Sequence, residues 1–202
     1  TASLYQDTAG TSQITADGQA VARWDDLSSS GISVQQSSTG DQPTYQASVA
    51  SLNGQAALYF DGGSGGDALT STTGNSTGVS GHEDFTVITV WADAVNTGQN
   101  YQHTFHMGDT TTREAYGHSV SRSGGGGEIG NHYWGDGWNS SSTDGLDNAN
   151  IALSTYDSDS DEDIWWVNGK AVGSRSVTLN IGTDQLQVGS RLTPATEGLR
   201  GS

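Results

Sequence analysis

Apolar residues in this chain recur at every second position within short segments, and turn-forming residues bound those segments. The clearest segment is FTVITVWA, in which Phe85, Val87 and Trp91 fall on one face. This period of two is typical of a β-strand with one buried face, and the spacing of an amphipathic helix is nearly absent. The Asn168-Gly169 pair between two apolar segments predicts a two-residue hairpin. The pattern therefore predicts an all-β fold, either a sandwich or a barrel.

Further segments of the same kind follow one another along the chain. They are 20–24, 56–60, 104–107, 117–122, 151–156, 164–167, 170–172, 176–181 and 185–189. A chain of this length can bury roughly 70% of its unfolded surface, so one domain spanning residues 1–202 is expected. The predicted core residues are Phe60, Phe85, Val87, Trp91, Leu153, Trp166 and Val188.

The charge of the chain is strongly negative. Lys and Arg number 7 and Asp and Glu number 23, which gives a formal net charge of −16. A field of this sign repels nucleic acids and anionic membranes and attracts cations. The carboxylates either form a solvated acidic surface or gather into Ca²⁺ sites. The chain has no Cys, so it forms no disulfide, and no apolar run is long enough to span a bilayer.

Several segments, taken in order, resemble the laminin G-like branch of the concanavalin A-like lectin and glucanase superfamily in its bacterial form. The segments are VARWDDLSSSG (21–31), DQPTYQ (41–46), LNGQAALYFDGGSGGDALT (52–70), FTVITVWA (85–92), IWWVNGKAVG (164–173) and LQVGSRL (186–192). The resemblance implies a two-sheet antiparallel jelly-roll sandwich. It also implies a module of a secreted or cell-surface protein that binds a glycan or another surface ligand in adhesion.

The sequence departs from the family pattern at GLRGS (198–202). In the family this segment usually leads into a final strand, so we expect that strand to be missing from residues 1–202 or to return after an inserted domain. The second arrangement resembles the split domains of giant bacterial adhesins, which carry ligand-binding domains outward. It implies an alternative function, a structural scaffold that displays a neighbouring domain of a larger protein.

A glycine-rich loop, DGGSGGD, carries two carboxylates. Asp61 and Asp67 flank five small residues, so the backbone can fold until both carboxylates meet one cation. Ca²⁺ takes six to eight oxygen ligands from flexible loops of this kind. The resemblance also implies a structural Ca²⁺ site in this part of the chain, and Asp84, just before the central strand, is the expected third carboxylate. The alternative is a plain glycine-rich turn.

A second acidic segment, DSDSDED, is the other candidate for a metal site. Asp157, Asp159, Asp161 and Asp163 would share one side of an extended chain. The glycine and the terminal glutamate that an EF-hand loop requires are absent. A solvated acidic turn between two strands is therefore the favoured interpretation.

The segment NHYWGDGWN concentrates aromatic and polar residues in a predicted loop. Aromatic rings stack on the apolar faces of sugars, and Asp, Asn and His exchange hydrogen bonds with hydroxyls. The candidate ligand-binding residues are His132, Tyr133, Trp134, Asp136, Trp138 and Asn139. The equally weighted alternative is that Trp134 and Trp138 fold back over one end of the sandwich.

The histidines predict no zinc site. His103 and His106 form an HxxH pattern, but on a regular strand this spacing places them on opposite faces. His118 and His132 stand alone in the sequence. Zinc needs three or four converging ligands, and the sequence shows no such group.

The acidic residues do not form a glycosidase motif. The glucanase relatives carry their carboxylate pair in a Glu-x-Asp-x-x-Glu strand. The glutamates of this chain, none of which lies in that motif, are Glu83, Glu114, Glu128, Glu162 and Glu197. A lyase would need Tyr, His and a cation converging on a uronate, and Tyr116 with His118 is the local hint. We therefore predict a non-catalytic module, with a polysaccharide lyase or glycoside hydrolase as the alternative.

Overall fold

The computed structural model describes residues 3–63, 66–74, 77–92, 94, 101–121, 127–135, 138–144, 148–191 and 198–202. These residues form an all-β, predominantly antiparallel sandwich of two sheets, which confirms the predicted fold class. Short 3₁₀ turns at Thr39–Asp41 and Ala50–Leu52 are the only helical elements of these ranges. No helix among them has the length and apolarity needed to cross a membrane.

Most of the alternating segments lie within strands, many of which extend beyond the predicted ends. In chain order the strands are β1 (Leu4–Tyr5), β2 (Arg23–Asp25), β3 (Ser33–Gln35), β4 (Thr44–Val49), β5 (Gln55–Gly63), β6 (Leu69–Ser71), β7 (Phe85–Trp91), β8 (Tyr101–Gly108), β9 (Ala115–Ser121), β10 (Glu128–Tyr133), β11 (Trp138–Asp144), β12 (Asn150–Asp157), β13 (Glu162–Val167), β14 (Lys170–Ser176), β15 (Gln185–Val188) and β16 (Gly198–Gly201).

The strands form one large and one small sheet. The larger sheet has the order β1-β2-β3-β6-β15-β8-β16-β5-β4, and β9, β10 and β11 extend it from β8. The smaller sheet has the order β14-β13-β12-β7. Strands β9 and β10 face β12 and β13 across the core, because side chains of the two pairs hydrogen-bond to one another.

The hairpin between β13 and β14 forms where the Asn-Gly pair predicts it. Asn168 and Gly169 adopt φ angles of 52° and 77°, and Val167 pairs with Lys170 across the turn. Positive φ at both turn positions is the geometry of a type I′ turn, which Asn and Gly tolerate at little cost. The Asn168 side chain also accepts a hydrogen bond from the Ile151 N–H at 2.9 Å, which ties the turn to β12.

The core between the sheets contains two groups of apolar side chains. One group includes Phe60 and Trp91, and the other is built around Phe85. The Phe85 ring centroid lies 4.9 Å from that of Tyr116 on the larger sheet and 5.3 Å from that of Tyr156 on β12. Aromatic pairs at such distances add to the stabilisation that burial provides. The predicted core residues Phe60, Phe85 and Trp91 are buried, and Val87 and Val188 are partly buried against the core.

The core prediction was wrong at Leu153 and Trp166. Both side chains are partly exposed, because they lie on the outer face of the smaller sheet, where they pair with each other. The residues beside them, Ala152, Trp165 and Val167, are buried instead. Successive side chains of a strand point to opposite faces. A prediction that is wrong by one position therefore exchanges the buried side chains with the exposed ones.

The predicted strand at 176–181 was also wrong. Val177, Leu179 and Ile181 alternate and are buried, as a strand would require. Ser176 ends β14, but the backbone of residues 177–181 does not join a ladder. The Leu179 N–H donates to the Tyr156 hydroxyl at 3.0 Å, and Ile181 makes one isolated bridge. The segment therefore buries its side chains like a strand, while its backbone bonds to side chains and loops.

Candidate functional site

The segment NHYWGDGWN, predicted to be an aromatic loop, contributes to a β-hairpin formed by β10 and β11. Gly135, with φ of 70°, lies just after β10. Strand β10 pairs with β9 on its other side, so it is an interior strand. Its side chains consequently alternate between the two faces of the sheet and do not share one loop surface.

Tyr133 and Asn131 lie on the face of β10 that meets the smaller sheet. Both are buried, and both donate hydrogen bonds to Oδ2 of Asp163, Asn131 Nδ2 at 2.6 Å. Tyr116 donates to Oδ1 of the same carboxylate at 3.1 Å. Burial raises the pKa of Asp163, and these hydrogen bonds oppose the rise. Tyr133, a candidate ligand-binding residue, is therefore part of the core and faces away from His132.

His103 and His106 lie together on the outer face of the larger sheet, and His132 joins them there. A β-bulge between His103 and Phe105 adds one residue to β8 where it pairs with β9. The prediction that these histidines point to opposite faces was wrong for this reason. The His103 ring centroid is 5.7 Å from that of His106 and 5.0 Å from that of His132. We call these three residues the imidazole cluster.

Gly117 on β9 makes room for the imidazole cluster. A Cβ atom at this position would lie 3.3 Å from His106 Cδ2, 3.4 Å from His103 Nδ1 and only 2.6 Å from the Phe105 carbonyl oxygen. On β10, His132 is the residue directly opposite Gly117. The rings therefore use the space that any larger residue at position 117 would fill.

Burial keeps His103 and His106 neutral. It lowers the pKa of His103 to about 3, and the positive charge of Arg191 adds to the shift. The pKa of His106 is also held well below its ordinary value, first by burial and then by His103, His132 and Arg191. Neutral imidazoles are the form that binds metals. Within the described ranges, however, no three His, Asp or Glu side chains are placed to hold a metal ion.

An aromatic and a cationic side chain lie at the edge of the imidazole cluster. Trp134 follows β10 and is partly buried, with its ring centroid 6.2 Å from that of His132. The guanidinium carbon of Arg191 lies 4.8 Å from the centre of the Trp134 ring, within the range of a cation–π contact. The Arg113 N–H donates to the Trp134 carbonyl at 2.8 Å and holds the backbone. We call His132, Trp134 and Arg191 the Trp134 patch.

The remaining candidate ligand-binding residues follow the Trp134 patch in sequence. Trp138 and Asn139 lie on β11, where their backbones pair with His132 and Asn131. Asp136 lies outside the described residues. Sequence reasoning missed Arg191, which is more than fifty positions from Trp134 and carries no periodic signal that links the two.

The structure brings two of the three predicted calcium ligands together. The Asp61 N–H donates to Asp67 Oδ2 at 2.9 Å, and Asp67 is buried. The pKa of Asp67 is raised to about 6, chiefly by burial; the Asp61 N–H hydrogen bond opposes the rise, and the charges of Asp61 and of Asp41, which the sequence did not suggest, contribute to it. Asp84 lies elsewhere, because its carboxylate accepts hydrogen bonds from the N–H and Oγ of Ser158, at 2.8 and 2.7 Å.

The carboxylates of DSDSDED have separate partners and do not share one side. Asp157 accepts from the N–H groups of Asp159 and Ser160 at 2.9 and 3.2 Å, as in a solvated turn. Asp161 accepts hydrogen bonds from Tyr156 and Thr178 and forms an ion pair with His82. Asp163 points into the core, as described above. The turn therefore directs the carboxylates of Asp157, Asp161 and Asp163 to different partners.

Comparisons with known proteins bear on the fold. No protein-family model and no curated protein matches the chain. Among solved structures it is similar to the fourth domain of AbnA, an extracellular arabinanase of Geobacillus stearothermophilus, in complex with arabinotriose. The identity is 15%, the TM-score 0.51, and the match covers 78% of this chain and 71% of that one.

A pentraxin of Limulus polyphemus is similar at 13% identity with a TM-score of 0.50, over 71% of this chain and 70% of that one. A carbohydrate-binding module of a Ruminococcus gnavus sialidase matches at 13% identity with a TM-score of 0.48, over 60% of this chain and 73% of that one. At these identities the first two similarities show a shared β-sandwich fold, and the third adds no argument.

Proposed function

We propose that this chain is a non-catalytic, carbohydrate-binding β-sandwich module of laminin G-like type, belonging to a secreted or cell-surface protein that acts in adhesion. The observation that carries the proposal is the Trp134 patch. A partly exposed indole lies there beside an imidazole and a guanidinium, on the outer face of the larger sheet. The arabinotriose-bound domain with the same fold supports this proposal.

The chemistry of the patch suits a sugar. The C–H face of a pyranose or furanose ring packs on an aromatic ring, and the indole supplies that surface. Arg191, whose guanidinium lies over the indole, supplies hydrogen-bonding groups for hydroxyls at the edge of the ring. The indole already packs against His132 and Arg191, and its backbone is held by the Arg113 hydrogen bond, so it loses little freedom when a ligand binds.

We propose that the module binds a glycan and does not cleave it. The buried carboxylate Asp163 accepts three side-chain hydrogen bonds within the core, an arrangement that serves structure. A retaining glycosidase would instead place two accessible carboxylates about 5 Å apart across a bound sugar. A lyase was predicted to use Tyr116 and His118, and both are buried between the sheets.

We also propose that Ca²⁺ stabilises the loop after β5. Asp61 and Asp67 fit this role, because the Asp61 N–H bonds to the buried Asp67 carboxylate and the negative charge of Asp61 helps to raise the pKa of Asp67. Asp84 does not fit, since it bonds to Ser158 on another loop. The ion would supply positive charge at Asp67, and oxygen ligands besides these two carboxylates would be needed.

A glycan array with the folded chain tests the proposed function. We expect saturable binding to at least one glycan, and at least tenfold weaker binding after Trp134→Ala. Trp24→Ala is the matched control, because Trp24 is also a partly exposed indole but lies on β2, away from the patch. If the folded protein binds no glycan, the alternative of a structural scaffold that displays a neighbouring domain is favoured. Release of reducing ends from a bound glycan would replace the binding module with an enzyme.

A further inference from the structure

His106 is fully buried in the imidazole cluster. Its exposed fraction is 0%, and neither of its ring nitrogens has a hydrogen-bond partner among the described residues. Gln187, directly opposite His106 on β15, also has a buried side-chain oxygen without such a partner. Buried polar atoms without partners lower the stability of a fold, and a leucine at position 106 would avoid this loss. The histidine therefore serves a purpose other than stability at neutral pH.

The groups around His106 are basic. The residues whose charges act on the pKa of His106 are His103, His132 and Arg191. Strands β9 and β15 contribute the uncharged residues Gly117 and Gln187 at the paired positions. Protonation of both His103 and His106 would place like charges side by side, since the ring centroids are 5.7 Å apart in a buried site. The closed cluster therefore excludes protons from these two rings.

Arg191 connects the imidazole cluster to the indole of the Trp134 patch. Its guanidinium carbon lies 4.8 Å from the centre of the Trp134 ring, and its charge lowers the pKa of both His103 and His106. Such an interaction is reciprocal, so protonated histidines repel Arg191 in return. His132 is a second connection, because its ring centroid lies 5.0 Å from that of His103 and 6.2 Å from that of Trp134. Charge on the cluster therefore acts on the two groups that pack against the indole.

We propose that the imidazole cluster is a pH-sensitive switch, which opens the Trp134 patch in mild acid and so releases the ligand of the patch. The release of a glycan rests on the proposed function, whereas the opening is a property of the chain alone. At neutral pH the cluster is closed, His103 and His106 are neutral, and the indole packs against His132 and Arg191. In acid, opening and proton uptake are coupled, because water reaches the buried imidazoles only in the open state.

The size of the effect follows from the pKa values of the closed and open states. Burial holds the pKa of His103 at about 3 and that of His106 well below its ordinary value, whereas an exposed imidazole has a pKa of about 6.5. Below about pH 6.5 the open state therefore binds protons that the closed state does not, and opening becomes easier as pH falls. Between pH 7 and pH 5 the equilibrium constant for opening should rise about 25-fold for each histidine and about 600-fold for both.

Native-state hydrogen exchange of the chain without ligand, followed by NMR, tests the switch. The probe is the amide of Arg113, because its N–H donates to the Trp134 carbonyl and is released when the patch opens. After correction for the pH dependence of intrinsic exchange, the opening constant of this amide should rise about 600-fold from pH 7 to pH 5. The amides of β12, which has a strand on each side in the smaller sheet, report global unfolding and should exchange more slowly than Arg113 at both pH values.

Two variants separate the cluster from the other buried histidine. His106→Leu removes one titrating ring, so the rise at Arg113 should fall to about 25-fold, and the fold should be no less stable at neutral pH. If His106→Leu does not fold, His106→Gln, which does not titrate either, takes its place. His118 is equally buried, but its ring bonds to Thr89 and Ser154 on the smaller sheet. His118→Gln should therefore leave the rise at Arg113 unchanged.

The proposal would be overturned if Arg113 had the same opening constant as the β12 amides at each pH, since the patch would then open only by global unfolding. An equal rise in the wild type and in His106→Leu would also overturn it. If added Zn²⁺ raised the melting temperature of the wild type but not of His106→Leu, the cluster would be a metal site and not a switch. Absence of glycan binding would contradict the proposed function and would not change these measurements.

Discussion

His118 Nε2 lies 2.7 Å from Ser154 Oγ, and this contact joins the larger sheet to the smaller one across the core. The direction of the bond follows from its neighbours. Asn131 donates its amide to Asp163, so Asn131 Oδ1 accepts from the Ser154 hydroxyl at 3.1 Å. With its proton used in this way, Ser154 Oγ accepts from His118 Nε2–H, and His118 Nδ1 accepts from Thr89 Oγ1 at 2.8 Å. His118 is therefore the neutral Nε2–H tautomer.

The hydrogen bonds from Thr89 through His118, Ser154 and Asn131 all run in one direction and end at the carboxylate of Asp163. The same carboxylate also accepts from Tyr116 and Tyr133. A buried network in which every member has a partner holds two sheets in one relative position, whereas loss of one member leaves buried groups unpaired. Its central acceptor should therefore be the residue whose loss costs most.

Replacing Asp163 by Asn should destabilise the fold by about 3 kcal/mol. The amide brings donors to a position that three donors already face, so at least one buried donor loses its acceptor. Urea unfolding gives the free energy directly. Asp157→Asn is the matched control at an exposed turn and should change stability by less than about 0.5 kcal/mol. An equally small effect at Asp163 would contradict the role assigned to the network.

Replacing Phe85 by Ala should cost about 3–5 kcal/mol, since the ring is buried between Tyr116 and Tyr156. Ile88→Ala on the same strand is the control, because its side chain is exposed on the outer face and should cost under about 1 kcal/mol. Comparable losses in the two variants would show that the two faces of β7 are assigned wrongly.

Stability should fall in acid because of buried histidines. Burial lowers the pKa of both His103 and His118 to about 3, whereas an unfolded His has a pKa of about 6.5. Below pH 6.5 the unfolded chain therefore binds protons that the folded chain does not, and each such histidine costs up to about 1.4 kcal/mol per pH unit down to pH 3.

His118→Gln isolates this effect, because the amide keeps a donor and an acceptor and does not titrate. Between pH 7 and pH 5 the wild type should lose about 2 kcal/mol more than the variant, measured by urea unfolding at each pH. The pKa values of Asp67 and Asp163 are raised, so their contribution to stability decreases as pH rises, opposite to that of the histidines. This contribution is the same in the wild type and in the variant. Parallel pH curves would contradict the prediction.

Calcium should raise the melting temperature, and a chelator should lower it. Free Ca²⁺ at about 100 times its dissociation constant adds about 2.7 kcal/mol if only the native state binds it. Because the pKa of Asp67 is raised to about 6, stability without the ion should fall as pH rises from about 4 through 6, and the ion should remove that loss.

The combined variant Asp61→Asn with Asp67→Asn should abolish the calcium response. The matched control is Asp157→Asn with Asp159→Asn, which removes the same charge from the solvated turn between β12 and β13. A melting curve of metal-loaded protein that chelator leaves unchanged would remove the stabilising role. If only the control variant lost the calcium response, the ion would bind at the turn between β12 and β13 instead.

The sequence by itself determined the strands and the hairpin that depend on local pattern. β7 was predictable because its alternation is strict, and the type I′ turn because Asn168 and Gly169 tolerate positive φ with no help from the rest of the fold. The turn within 157–163, which separates β12 from β13, was also predictable from its run of turn-forming residues. These features depend on interactions among residues that are close in sequence.

Tertiary structure alone decided which side chains meet. The bulge that brings His103 and His106 to one face exists because β8 pairs with β9 in a particular register, and no residue within β8 specifies that partner. Arg191 reaches Trp134, and Asp67 reaches Asp61 but not Asp84, through the packing of separate segments. A period of two identifies a strand, but the register and the neighbouring strand determine which groups its side chains contact.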